Sequence, residues 1–370
     1  MKKIVIIAIF ILVILIVWKI RSKKALPVSS QKGKFGTILR SQLSPSTRRA
    51  FDLKMVTAPQ QTVDLPAEYD VEKMFPDYVS SVLNQKECGS CWAFATASAL
   101  SDRIRIATKG AHLMNMIDFD GVSIKSQITP YGLAACDFCG LSSTEKTYLK
   151  NAETLREGGQ CNLKCDGGAL DFALIYMHEN GGISISCNDP AGKGQYQCFS
   201  LATLFERDRF PSRTHPCHVF KFGPSMLVSR YENDELEKSG SEEKRKKNEE
   251  AIRTELYLNG PVMTGYMIHE NFSEFFVKNP GGIYTSTGGS AELGGHAVVI
   301  IGWGEDDGVE WWKCRNSWGP DWNGDGHFKI SRGKNLCQIE SGVYTSMVDL
   351  AWAHYVEGFE DSGEAVPRLW

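Results

Sequence analysis

The chain has no surplus of basic charge. Its 41 Lys and Arg face 44 Asp and Glu, a net charge of −3 at pH 7, whereas a nucleic-acid surface would show a strong basic excess. It has no internal repeat and no low-complexity tract, so neither a solenoid nor a biased tail organises it. It also lacks a small-residue cleavage site behind its first apolar run, Ile4 to Trp18. Lys2 and Lys3 precede that run and Lys19, Arg21, Lys23 and Lys24 follow it, so an uncleaved membrane anchor over residues 4–20 is expected ahead of a cleaved signal segment. These fifteen residues rise about 22 Å as a helix, short of a hydrocarbon core of about 30 Å, and Ile20 with snorkelling basic ends extends the span.

What the chain does have is cysteine. Eleven are present, at 88, 91, 136, 139, 161, 165, 187, 198, 217, 314 and 337. That density favours an oxidising compartment, and the odd count leaves at least one thiol unpaired. The slightly more basic downstream flank of the anchor argues for a cytoplasmic domain. The cysteines weigh more, so a lumenal, extracellular or virion location is expected.

Residues 21–62 are basic, polar and poor in aromatic residues, and read as a linker or short prosegment. Apolar and aromatic content rises at Val63, where a folded domain is expected to start and to run to about 350, followed by a tail over 351–370. Cys91 to Thr108 reads as a half-buried helix, with Asp102, Arg103 and Arg105 interleaved among apolar residues and Lys109-Gly110 at its end. Asp171 to Glu179 reads as a second helix, and "SEEKRKKNEEAIRTELYLNG" as a third. Residues 187–230 have weak periodicity and read as a long loop region. After Pro261 short β-branched or aromatic runs take over, "HAVVIIGWG", "WWKCRNSW", "GHFKIS" and "GVYTSMV", which read as strands. The expected fold class is α+β in two lobes.

The stretch "NQKECGSCWAFATASAL", Asn84 to Leu100, sets two cysteines three apart at the start of a helix. Unpaired N–H groups and the positive end of the helix dipole favour a thiolate at Cys91. A thiolate nucleophile needs a partner base, usually histidine. His296 opens an apolar strand in "GGHAVVIIGWG", and "RNSWG" supplies Asn316 to orient an imidazole and Trp318 to cover that hydrogen bond.

Together with "CDGG" at 165–168, these motifs resemble the papain-like cysteine peptidases, whose C-G-[SA]-C-[WY] signature is a known mark of the family. The resemblance covers Val63 to Ser346. "LPAEYD", "NEEAIRTELYLNGPV" and "LCQIES" resemble the cathepsin B branch, and the unusual insertions would suit a viral member. The resemblance implies a papain-like fold with a helical lobe, a β-barrel-like lobe and an active site in the cleft between them. It implies Cys91 as nucleophile, His296 as ion-pair partner and general acid/base, and Asn316 as its orienting group. Gln85 with the Cys91 N–H would form the oxyanion hole, and Cys88–Cys165 a disulfide. An extended peptide would pair with Gly168. Leu170, Gly265, Ala297 and Gly342 would line a roomy apolar pocket preferring Phe or Leu two residues before the cut. The cathepsin B branch has an acid at the position of Gly342 and accepts Arg; this chain is not expected to.

Several readings stay open. A papain fold used only for binding is the rival to an endopeptidase. His296 and Asn316 stand 205 and 225 positions after Cys91, against about 130–150 in compact members, so insertions near 137–160 and 187–230 are implied. Cys136, Cys139, Cys161 and Cys165 have a superficial zinc spacing, set against disulfides among the remaining cysteines. Cys314 and Cys337 read as inert thiols. "DWNGDG" starts like an EF-hand loop but has Arg332 at position twelve. Asn271-Phe272-Ser273 is a glycosylation sequon. His215 and His218 offer a weak analogue of the cathepsin B carboxydipeptidase loop. Polypeptide substrates, no cofactor, no nucleic acid and a monomer are expected.

Overall fold

A computed structural model describes residues 35–110, 164–183 and 217–356, with residues 116–117, 123–124, 128, 130 and 133–134 between them. Residues 4–20, His215 and most of the cysteine-rich insertion lie outside these. Among the described residues the α-helices are α1 (Pro45–Asp52), α2 (Val71–Met74), α3 (Cys91–Ala107), α4 (Leu170–Asn180), α5 (Asn233–Leu236), α6 (Glu242–Asn259) and α7 (Asn271–Lys278). The strands are β1 (Met55–Thr57), β2 (Tyr69–Asp70), β3 (Met116–Ile117), β4 (Ser123–Ile124), β5 (Gly182–Ile183) and β6 (Cys217–Leu227), followed by β7 (Val262–His269), β8 (Ile283–Tyr284), β9 (Glu292–Asp306), β10 (Val309–Arg315), β11 (His327–Ser331) and β12 (Val343–Val356). None of the described helices is long and apolar enough to cross a membrane.

The main sheet runs β1-β6-β12-β7-β9-β10-β11-β8, with β2 on β9 and β5 on β6. Two boundaries move. Residues 217–227, expected within a loop, form β6, and β12 carries the sheet to Val356, past the expected end of the domain at 350. Both follow from pairing across the chain: Ala353 to Val356 meet Phe220 to Cys217 in antiparallel register, a partnership that local periodicity does not announce.

The nucleophile helix α3 is rich in alanine, the best helix former, and ends where Gly110, at φ 77°, returns its N–H to Arg105 O at 2.8 Å. It was expected to be half buried; instead every residue from Cys91 to Arg105 is buried. The charges on it tolerate burial because they are paired. Asp102 accepts from Arg315 Nη1 at 2.7 Å and from Ser80 N at 2.6 Å. Arg103 donates to Glu255 on α6 at 2.7 Å and to Gly260 O at 3.1 Å. The helix is thus tied by one ion pair to β10 and by another to α6.

Residues 35–57, expected as linker or prosegment, are ordered on the body of the protein. Ser44 caps α1 by accepting from Thr47 N at 3.2 Å, with Pro45 at the first helical position. Leu43 and Phe51 join Ala169, Phe172 and Ile175 in a small apolar cluster, the Phe51 and Phe172 rings meeting edge to face at 4.5 Å. β1 then adds in parallel to β6, Met55 opposite Ser225 and Thr57 opposite Leu227.

Asn271 of the sequon is engaged: its Oδ1 accepts from Tyr284 Oη at 2.6 Å and Ser290 Oγ at 2.8 Å, and its Nδ2 donates to Ser286 O at 3.3 Å. No metal-holding cluster occurs among the described residues, and "DWNGDG" carries a 3-10 turn, Trp322–Gly324.

Arg315 and Asp102 are 3% and 0% exposed. Replacing Arg315 by Met strands a buried carboxylate, so Arg315→Met is expected to lose about 3–5 kcal/mol in denaturant unfolding. The Arg315→Met/Asp102→Leu double variant should recover much of that loss.

Candidate active site

Cys91 is the first residue of α3 and is fully buried. Ser90 makes no side-chain cap, so the first-turn N–H groups keep their positive potential at the sulfur. Cys88, three residues earlier, is bonded to Cys165, and Gly89 N donates to Cys165 O at 2.8 Å. The disulfide implied by the family resemblance is therefore present, and it withdraws Cys165 from any zinc site. Cys314 and Cys337 are free thiols, as expected. Burial pushes both up, Cys337 to about 12, and a thiol so disfavoured as thiolate is a poor nucleophile.

His296 lies on β9, opposite Tyr266 of β7, and is fully buried. Its Nε2 is 2.8 Å from Asn316 Oδ1. That oxygen can only accept, so Nε2 carries the proton and Nδ1 is left for the thiol. Nδ1 has no other hydrogen-bond partner. Asn316 is held in turn, its Oδ1 also accepting from Ser317 N at 2.8 Å. The Trp318 ring lies 4.9 Å from the imidazole and is 8% exposed, which shields the His–Asn bond from water.

Electrostatics at the sulfur follow from this geometry. Burial alone would raise the Cys91 thiol, but the charge and hydrogen bond of His296, with Thr37 and the Ala297 N–H, bring it down to about 7. Ala297, expected to line the specificity pocket, thus faces the nucleophile. It also lines, with Arg315 and Asn316, the space between α3 and the sheet.

Gln85 is 3% exposed. Its Nε2 donates to Cys88 O at 2.7 Å, its Oε1 accepts from Ser317 Oγ at 2.5 Å, and its N donates to Ser317 O at 2.8 Å. These bonds fix the amide beside the nucleophile loop and link it to the segment carrying Asn316.

Residues of the N-terminal segment occupy the cleft, and they were not foreseen. Thr37 Oγ1 sits 3.0 Å from Cys91 Sγ. Gly168 is paired on both sides: its N donates to Gly36 O at 2.7 Å and its O accepts from Ile38 N at 2.8 Å, while Thr37 N reaches Gly295 O at 3.0 Å. A Cβ on Gly36 would lie 2.3 Å from Gly89 O, so only glycine threads this point. Leu39 enters the pocket of Leu170, Gly265 and Gly342. A Cβ at Gly265 would fall 2.8 Å from its Cδ2. Arg40 follows, reaching Asp171, Glu232 and Asp52. The available signal was "FGTIL", a small apolar island inside a basic, polar stretch.

Comparison with known proteins agrees with this geometry. Residues 65–151 and 153–347 match the family described as papain family cysteine protease. Cathepsin B-like cysteine proteinase 3 of Caenorhabditis elegans is 30% identical over 304 residues, covering 81% of this chain and 70% of that protein. Gut-specific cysteine proteinase of the same animal is 32% identical over 294 residues, 78% and 76% of the two chains. Among solved structures, proCathepsin B S9 from Trypanosoma congolense shares the fold with a TM-score of 0.59 at 21% identity, over 89% of this chain and 90% of that one. These relatives give the suggested viral origin no support. The chain belongs to the papain family of cysteine peptidases, with cathepsin B-like proteinases among its relatives.

Proposed function

We propose that this protein is a cysteine endopeptidase in its proenzyme form, with Cys91 as nucleophile and residues 35–57 as the inhibitory segment. The observation that carries the reading is the meeting of a thiol drawn down to about 7 with an imidazole whose far nitrogen is fixed by Asn316. A dead binding module has no need of that arrangement.

The chemistry follows from the atoms present. The Cys91 thiolate attacks the scissile carbonyl. The Cys91 N–H and Gln85 Nε2 receive the developing oxyanion, each such donor contributing about 10²–10³ in turnover. The His296 imidazolium passes its proton to the leaving amine, then takes one from the water that hydrolyses the acyl-enzyme. Asn316 and Trp318 hold the ring in one plane throughout.

In the proenzyme none of this can start, because Thr37 covers the sulfur and Gly36 and Ile38 take both hydrogen-bonding groups of Gly168. Leu39 stands where an apolar substrate side chain two residues before the cut would go, which supports the preference for Leu or Phe. The histidines considered for carboxydipeptidase activity add nothing here: His215 and the side chain of His218 lie outside the described residues. The Cys88–Cys165 bridge supports a lumenal or extracellular setting.

Acid should loosen the segment. Burial raises Asp171 from its ordinary 3.8 to about 6, and the charge of Arg40 works against that rise. For segment binding the Arg40 charge decides the sign: the bound segment favours the ionised carboxyl, so the clamp is at full strength above the higher pKa Asp171 has without Arg40 and is lost as pH falls through about 6. For the fold as a whole the sign is opposite. A raised carboxyl contributes stability that is complete below about pH 4 and lost as pH rises through 6.

Two outcomes are expected with an epoxysuccinyl thiol probe on the full chain, mapped by mass spectrometry. At pH 7.5 Cys91 of the intact protein is protected, and labelling rises at least about tenfold at pH 5. Arg40→Ala should label readily at both. After nicking in the exposed Pro59–Thr62 stretch and removal of the segment, Cys91 should label stoichiometrically. His296→Ala should reduce that labelling about 10²-fold or more, and an unreactive Cys91 in folded, segment-free protein would return the fold to a binding role.

A further inference from the structure

Arg40 continues past the apolar part of the pocket that Leu39 fills. Its Cβ lies 3.8 Å from the point a Cβ on Gly342 would occupy, and its guanidinium meets three carboxylates. Nε donates to Glu232 Oε1 at 2.9 Å, Nη1 to Asp171 Oδ1 at 3.3 Å and Nη2 to Asp52 Oδ1 at 2.5 Å. Asp171 is 1% exposed, and its second oxygen accepts from Tyr344 Oη at 3.0 Å. The Tyr344 hydroxyl lies 3.6 Å from the same Gly342 point.

These acids divide by what happens on activation. Asp52 sits on α1 and leaves with residues 35–57, as do Arg40 and Arg48, the second cation on Glu232. Asp171 on α4 and Glu232 beside α5 remain with the peptidase body. Processing therefore removes both cations from a pocket that keeps two carboxylates and a phenol hydroxyl, of Asp171, Glu232 and Tyr344, in its lining. Uncompensated buried carboxylates are costly, and a guanidinium is the group that this lining already binds.

Resting on the peptidase reading above, we propose that Asp171 and Glu232, with the Tyr344 hydroxyl, form a guanidinium-binding floor to the specificity pocket, through which the processed enzyme accepts Arg two residues before the cut. Leu170 and Gly265 hold an apolar side chain at the entrance. Glycine at 342 leaves open the path along which a longer chain reaches the floor. The expectation that this pocket refuses Arg considered position 342 alone; the acid stands on α4 and beside α5 instead. Arg is favoured over Lys because Arg40 engages the two retained carboxylates through two different nitrogens, Nε to Glu232 and Nη1 to Asp171, a fork that a single ammonium cannot reproduce.

The test uses the full chain, nicked within Pro59–Thr62 and freed of its segment, with active enzyme counted by titration of Cys91. Fluorogenic peptides identical except for Leu, Arg or Lys at the second position before the cut are compared by kcat/KM. Wild type should turn over the Arg peptide within about tenfold of the Leu peptide and the Lys peptide several-fold more slowly. Glu232→Gln and Asp171→Asn should each lower the Arg-to-Leu ratio, Asp171→Asn by about tenfold or more and chiefly through KM. The ratio cancels any general loss of folded enzyme, and Glu232, with a side chain 29% exposed, gives a variant that does not disturb the core. An Arg peptide turned over more than a hundredfold below Leu, or a ratio unmoved in both variants, overturns the floor and leaves the peptidase reading standing. Failure to cleave any of the three by titrated enzyme overturns that reading, and the floor with it.

Discussion

A nucleophilic thiol and its imidazole partner on different elements must be kept within reach of each other and out of water. Cys91 opens a helix and His296 lies on a sheet strand, so their separation is the separation of two lobes. What fixes it lies away from the sulfur. Asp102 on the nucleophile helix is paired with Arg315, the residue before Asn316. Arg103, one residue on, is paired with Glu255 at the opposite flank. The Cys88–Cys165 bridge and the Gln85–Ser317 bond close the near side. A helix pinned at so many points loses little further entropy when substrate arrives, which is what pre-organisation means at an electrostatic active site.

The same cleft is filled by the chain's own residues 35–40, and the manner of filling fits the inhibitory role proposed for them. The sulfur faces a side-chain hydroxyl, Thr37 Oγ1. Holding the segment is divided among a backbone ladder at Gly168, an apolar plug at Leu39, an ion cluster at Arg40 and a distant apolar foot at Phe51. These four contacts are linked through one short stretch of chain, so each helps to place the others.

The sequence showed the catalytic parts clearly and the inhibitory ones poorly, for a physical reason. Cys91 and His296 stand in short stretches where glycine, aromatic and apolar residues are dictated by close approach and burial, so the chemistry is visible within ten residues. Asn316 and Gln85 are of the same kind. Arg40 finds its partners 131 and 192 residues away, and nothing near it in sequence marks it as different from the other basic residues of its stretch. β6 was missed likewise, because its identity as a strand is conferred by β12 and β1. Ala297 entered through the family resemblance as a pocket wall; that its backbone N–H also faces the sulfur was not legible, because it depends on where β9 passes Cys91.

The parallel pairing of β1 with β6 has a bearing on the life of the protein after processing. While the segment is in place, Ser225 to Leu227 have a strand beside them, and Ala58 N adds a bond to Leu227 O at 3.1 Å. When the segment leaves, that stretch of β6 becomes a bare sheet border with unpaired peptide groups, the kind of border that recruits any extended chain of suitable register. On the proenzyme reading proposed above, loss of the segment frees the groove and, in the same act, gives the molecule a sticky rim that the intact form lacks.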